Sequence, residues 1–180
     1  MSYPFSGYGQ QDCSEFSIYL FDKFEEEFKK DGKANIVNQY FWGNFKKEIK
    51  WDAWENISSS SEEFNHISLN IDNVHESIQH EGDLYSVQDL FDNFFVPEDL
   101  SYENNNQYEC STCECKVEKA WWTYKLSSNL PPYLIVTLKR FSYNPEKGIN
   151  QKLKQIVDIS ERIMVSRIFI IQWYRLKVIW

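Results

Sequence analysis

The sequence predicts an α+β chain, and three observations carry that reading. An early segment spaces its aromatic residues at helical intervals. A middle segment alternates apolar and polar residues, as a half-buried strand does. A nearly continuous apolar run follows a Pro-Pro break late in the chain. With 180 residues, 42% of them apolar and 17% aromatic, the chain can bury one sizeable core and is no disordered tail.

The first element is a helix. Asp12 is a candidate cap, and Glu15 three residues on completes a capping-box arrangement. Phe16, Leu20, Phe24 and Phe28, widened by Tyr19, form a stripe expected to pack into the core. Lys29 and Lys30 suit the negative end of the helix dipole, and Gly32 is the expected stop. Residues 39–51, carrying Phe41, Phe45 and Ile49, read as a strand, and Ser58 to Ser61 as a loop. Ile67, Leu69 and Ile71 alternate with His66, Ser68 and Asn70, which predicts a second strand. A short helix is expected from Ser86, with Asp89 at its third position, Leu90, Phe91, Phe94 and Phe95 as its apolar face, and Pro97 as its end. An acidic, Asn-rich loop follows. Val117 to Leu126 reads as a strand, and Tyr133 to Leu138 as a strand buried on both faces. Residues 144–148 form a turn, with a hairpin partner expected within 149–159.

Charge is unevenly placed. Residues 1–110 hold 22 acids and 7 Lys/Arg, whereas residues 111–180 hold 5 acids and 12 Lys/Arg. A strongly acidic first part disfavours nucleic acid and anionic membrane as partners and suits a cationic one. The apolar stretch near the end is broken by Arg162, Arg167, Arg175 and Lys177, against a membrane span. The first residues lack the charged and apolar regions of a signal peptide. Four cysteines make no secreted disulfide scaffold, so a reducing compartment, cytoplasm or nucleus, is expected.

Cys110-x-x-Cys113-x-Cys115 has the spacing of a metal knuckle, yet a closed zinc site needs four ligands and no second Cys-x-x-Cys exists. Cys110 and Cys113 are therefore the only metal candidates, and a polar turn without metal is the expectation. No cofactor is expected. Cys13, at a helix start, has the dipole but also the acidic neighbours Asp12 and Glu15, so it reads as a helix residue and not a nucleophile. His66, His75 and His80 read as solvated surface residues. Asp12 and Glu15 are either plain cap residues or a carboxylate pair able to clamp an arginine.

Gly9-Gln10-Gln11-Asp12-Cys13-Ser14-Glu15-Phe16 resembles the Gln-Gln-Asp box of the ubiquitin-specific proteases, papain-like cysteine peptidases that remove ubiquitin. Further matches follow in family order. Tyr40-Phe41-Trp42-Gly43 resembles the strand that opens the fingers region, Phe64 to Ile71 its second strand, and Tyr108 to Ala120 its second zinc knuckle. Leu130-Pro131-Pro132-Tyr133 through Leu138-Lys139-Arg140-Phe141 resembles the palm strand and is the most specific match. The resemblance implies part of a hand-like fold: a thumb remnant over 1–34, antiparallel fingers over 35–130, part of the palm over 131–159, and a divergent tail over 160–180. It also implies ubiquitin or a ubiquitinated protein as partner. Asp12 and Glu15 would bind the arginine-bearing tail of ubiquitin, and Phe141 would line the same channel.

Three departures shape the expectation. The family's catalytic cysteine box and histidine box have no counterpart here, and no histidine follows His80. No catalytic residue is therefore assigned. The first knuckle position reads Trp51-Asp52-Ala53-Trp54, and tryptophan cannot ligate zinc, so aromatic packing is expected to close the fingertip. Beyond Ser160 the palm pattern is not recognisable, which suggests premature termination or a changed reading of the gene. The expectation is a fragment of a deubiquitinating cysteine protease domain, inactive alone. The alternative is a non-catalytic ubiquitin-binding or scaffold module derived from that fold. A zinc-knuckle interaction domain without a ubiquitin link explains only residues 110–115.

Overall fold

The computed structural model describes residues 5, 8, 13–51, 56–72, 74–78, 84–101, 106–110, 113–127, 130–144, 148–165 and 172–175. Helix α1 spans Cys13–Lys30. It stops where Gly32 turns left-handed (φ 63°). There the Lys33 N–H donates to the Phe28 carbonyl at 3.0 Å and the Gly32 N–H to the Lys29 carbonyl at 3.3 Å. These bonds satisfy the last carbonyls of the helix, the role a glycine is best suited to.

The second element corrects the strand reading of residues 39–51. Asn35 caps a helix α2, Ile36–Phe41, accepting from the Val37 N–H at 3.0 Å and the Asn38 N–H at 3.3 Å. Strand β1 begins only at Gly43 and runs to Trp51. A Cβ at Gly43 would stand 2.6 Å from the Phe64 ring and 2.8 Å from Pro131, so two segments close on a position that only glycine leaves open.

Strand β1 is central in an antiparallel sheet of order β2-β1-β6-β5. The others are β2 (Asn56–Phe64), β5 (Glu98–Ser101) and β6 (Lys119–Leu126). Two expectations fail here. Ser58 to Ser61 lie inside β2, each paired with a β1 residue. An edge strand exposed to water needs no apolar side chains once its backbone is paired. Similarly, the acidic stretch after Pro97 opens with β5, held against β6.

The rest of the chain builds the core. Strand β3 (His66–Asn70) pairs in parallel with β7 (Ile135–Lys139), and β4 (Tyr85–Ser86) with β10 (Val157–Asp158). Helix α3, Val87–Phe94, starts from Ser86 as expected and carries a capping box: the Asp89 N–H donates to Ser86 Oγ at 3.2 Å, and the Ser86 N–H to Asp89 Oδ2 at 2.8 Å. A hairpin joins β8 (Phe141–Asn144) to β9 (Ile149–Lys152), and β11 (Arg162–Val165) pairs with β12 (Gln172–Arg175). Ile67, Leu69, Leu90, Phe91, Ile163 and Val165 are all buried in one cluster. Burying each such side chain contributes about 1.5–3 kcal/mol.

Two burial expectations change, and the last segment adds a finding. Strand β7 is half-buried rather than covered on both faces: Val136 and Leu138 pack against the core, and Lys139 is exposed. The α1 stripe is not core: no residue of the helix is buried, and Phe16 and Phe24 are nearly half exposed. Its ring contacts are with Phe5, from Phe16 and Tyr19, and with Phe41 of α2, from Phe21. Finally, residues after Ser160 enter the core despite their unfamiliar pattern. Gln88 secures them, accepting from the Met164 N–H at 2.7 Å and donating to the Met164 carbonyl at 3.1 Å.

Candidate functional site

The residues read from sequence as a ubiquitin-tail site sit on separate elements. Glu15 is exposed in the first turn of α1, two residues after Cys13, which is also exposed. Asp12 lies outside the described residues. Phe141 opens β8 directly after the Lys139-Arg140 step and is 69% exposed. Its neighbour is anchored: Arg140 Nη1 donates to the Gln155 carbonyl at 2.9 Å, and the Leu153 N–H donates to the Arg140 carbonyl at 2.7 Å. An aromatic relay links the two regions. Phe21 of α1 meets Phe41 at 4.9 Å between centroids, and Phe41 meets Tyr133, at the approach to β7, at 5.7 Å. The Tyr133 N–H also donates to the Tyr40 carbonyl at 3.0 Å.

A larger feature emerges between the four-stranded sheet and the core. An open cleft of about 980 Å³ runs past Glu62, Glu63, His66, Glu98, Trp122 and Tyr124. Its floor is aromatic: Phe45 stacks on Phe64 at 4.0 Å, and Phe94 on Tyr124 at 5.3 Å. Tyr124 donates to Glu62 Oε2 at 3.0 Å. Burial, with the carboxylate second, pushes the Tyr124 hydroxyl up to about 12, so it stays a neutral donor. Three carboxylates against one lysine, Lys139, leave the rim net acidic around an apolar floor, which suits a partner with basic groups around an apolar patch. The sequence reading missed these residues. The signal was there in alternation: Trp122 and Tyr124 share a sheet face, but which face meets the cleft depends on register with β1.

The other face of the sheet holds a second unforeseen group. Glu48 is 6% exposed on β1, with Lys46 Nζ at 3.0 Å and Lys125 Nζ on its other oxygen. The Lys125 hydrogen bond, reinforced by Lys46, holds its carboxyl below the usual range against the opposing effect of burial.

Of the expected surface histidines, His75 is exposed and His66 is not. His66 is half-buried, with Nδ1 2.7 Å from Asn65 Oδ1, and burial lowers its pKa. His75 Nδ1 accepts from the Ser77 N–H at 3.2 Å, and its own backbone N–H donates to Asn93 Oδ1 at 2.8 Å. His80 lies outside the described residues.

At the fingertip, the candidate metal cysteines part company. Cys113 forms a disulfide with Cys115, a bond the sequence reading did not expect, and Cys110 is buried beside Val117 and Ala120. The loop is tied by the Cys110 N–H donating to the Cys115 carbonyl at 2.9 Å and the Glu114 N–H to the Cys110 carbonyl at 2.8 Å. Trp51, at the position read as the first knuckle, packs on Tyr108 at 5.2 Å and against this cluster. Trp54 lies outside the described residues.

Comparisons with known proteins agree on one family. The family model described as ubiquitin carboxyl-terminal hydrolase matches residues 1–175, running past the point where the sequence pattern becomes unfamiliar. Human ubiquitin carboxyl-terminal hydrolase 37 is 28% identical over 186 aligned positions, covering 90% of this chain and 18% of that protein. Mouse ubiquitin carboxyl-terminal hydrolase 40 is 26% identical over 135 residues, covering 75% of this chain and 10% of that protein. The chain therefore spans less than a fifth of the length of these relatives. Among solved structures, the SAGA Ubp8/Sgf11/Sus1/Sgf73 DUB module bound to ubiquitin aldehyde matches with a TM-score of 0.68. It is 22% identical, covering 88% of this chain and 33% of that one. This likeness establishes the fold.

Proposed function

This chain belongs to the ubiquitin carboxyl-terminal hydrolase family, and we propose that within a deubiquitinase domain it supplies recognition of ubiquitin and not the bond-breaking groups. The observation that carries the reading is the acid-rimmed, aromatic-floored cleft between the sheet and the core. A basic, partly apolar partner surface would find there both charge complementarity and area to bury. The solved relative bound to ubiquitin aldehyde supports ubiquitin as that partner.

The cysteines and histidines support a non-catalytic role. Thiolate–imidazole catalysis needs a cysteine and a histidine in hydrogen-bond reach, with a third group orienting the base. Among the described residues, Cys113 and Cys115 are bonded to each other, His66 turns to Asn65, and His75 to Ser77. Ile163 and Val165 lie in the core and within the stretch that the family model matches, so this segment belongs to the folded body whether the chain is a fragment or a self-standing binding module.

The test is a ubiquitin titration together with an activity assay on the 180-residue chain. Weak, salt-sensitive binding is expected, with no turnover of a ubiquitin-based fluorogenic substrate. Asp12→Ala combined with Glu15→Ala should weaken binding by about tenfold or more, as loss of a charge-assisted contact worth about 1.5–3 kcal/mol implies. Turnover abolished by thiol alkylation would overturn the non-catalytic reading. Binding indifferent to the double substitution would remove the tail clamp.

A further inference from the structure

Strand β2 is the outer strand of the four-stranded sheet, and its nine residues, Asn56–Phe64, are continuously in register with β1. Among the described residues no strand pairs with its far side. Protein sheets usually blunt such edges with lysine, proline, bulges or shortness. This one is nine residues long, contains no Lys, Arg, Pro or Gly, and pairs residue for residue without a bulge; its charges, Glu62 and Glu63, are confined to one end. Its central residues are small and exposed, Ser58 to Ser61. The opposite edge of the sheet, β5, has four residues, two of them Glu98 and Asp99.

We propose that β2 is a self-recognition edge on which a second copy of this chain docks, antiparallel, about a two-fold axis at Ser60. Symmetry and strand chemistry fix the register. Only residues of one parity turn their N–H and C=O groups outward, so in a self-paired antiparallel ladder each residue must face one of its own parity. The paired numbers therefore add to an even sum. The sum that overlaps all nine residues sets Asn56 opposite Phe64 and Ser60 opposite Ser60. In that register Glu62 faces Ser58 and Glu63 faces Ile57, so no like charges stand opposite one another. The centre is three small serine pairs, which let two backbones approach without side-chain conflict. Two four-stranded sheets would join into one of eight strands. Because the same edge serves both copies, the contact closes on itself as a dimer and does not propagate.

The experiment is sedimentation of the 180-residue chain over a range of concentrations, alongside cysteine cross-linking. A reversible monomer–dimer equilibrium is expected. Replacing Ser59, Ser60 and Ser61 together by Lys sets like charges opposite at all three central pairs and should weaken the dimer by roughly tenfold, with the circular dichroism of the dilute monomer unchanged. In a Cys13→Ser background, Ser60→Cys should form an inter-chain disulfide under mild oxidation and Ser58→Cys should not, since only residue 60 meets its own copy. A chain that stays monomeric, a dimer insensitive to the lysines, or cross-linking as strong at residue 58 as at residue 60 would overturn the proposal. Open-ended aggregates in place of a dimer would overturn it too.

Discussion

Helices α1 and α3 both carry aromatic residues at helical spacing. Yet α3 buries Val87, Leu90 and Phe91 within eight residues, while α1 buries none within eighteen. The difference lies in what each meets. Helix α3 packs on β3, and β11 closes over it through Gln88 and Met164. Helix α1 meets mainly α2, along an apolar groove of Phe21, Phe24, Phe28, Ile36, Val37 and Phe41. A hydrophobic stripe states which face a helix would bury. Whether it is buried depends on neighbours far away in sequence.

The strongest way to break this contrast is a pair of truncations. Phe91→Ala, at a site 2% exposed, should cost about 3–5 kcal/mol. Phe24→Ala, in the shallow α1–α2 groove and 45% exposed, should cost under about 1 kcal/mol. Urea unfolding of both variants measures the gap. Comparable losses would mean that α1 is covered in solution by something that ties it to the core.

How much of this was readable in advance follows the same division between local and distant causes. The start of α3 was legible because Ser86 and Asp89 satisfy each other within one turn. The aromatic-x-Gly motif was legible as a pattern, but its reason, the approach of Phe64 and Pro131 on Gly43, needs the fold. Ser58 to Ser61 misled because serine marks loops locally, whereas here pairing with β1 decides. Residues 39–41 misled for a nearer reason: Asn35 caps a helix that runs through them. The cleft was not legible because it joins β2, β3, α3 and β6, and only the register of β1 with its neighbours selects which side chains face it. Trp51 was read as a fingertip packing group, and the structure lays it on Tyr108.

Helix ends offer a finer version of the contrast. Ser86→Ala removes the cap of α3 and should cost about 1 kcal/mol of global stability, because α3 is part of the core. Gly32→Ala places a side chain at φ 63° and should also cost about 1 kcal/mol locally. With α1 outside the core, that cost should appear as lost helical signal at the end of α1 and not as a shifted urea midpoint. Equal midpoint shifts in the two variants would show that α1 and the core unfold as one unit.

The smallest expected effect concerns protons, and it sharpens where the coupling to pH lies. The carboxylates and lysines that pair along α1, Lys23 with Glu26 and Lys30 with Glu27, are open to solvent. His66 is half-buried at the start of β3, and burial lowers its pKa below the ordinary 6.5. The unfolded chain therefore takes up the proton at a higher pH than the folded chain does. Stability must then rise with pH across that interval. The His66 contribution is fully present above 6.5 and is lost as pH falls through the lowered folded value. Following the urea midpoint from neutral pH downward should show this decline, and His66→Gln, which cannot titrate, should flatten it. A slope unchanged in the variant would assign the proton uptake to another group. A slope removed by it would place the first acid-sensitive joint of the molecule at β3, beside the cleft and away from α1.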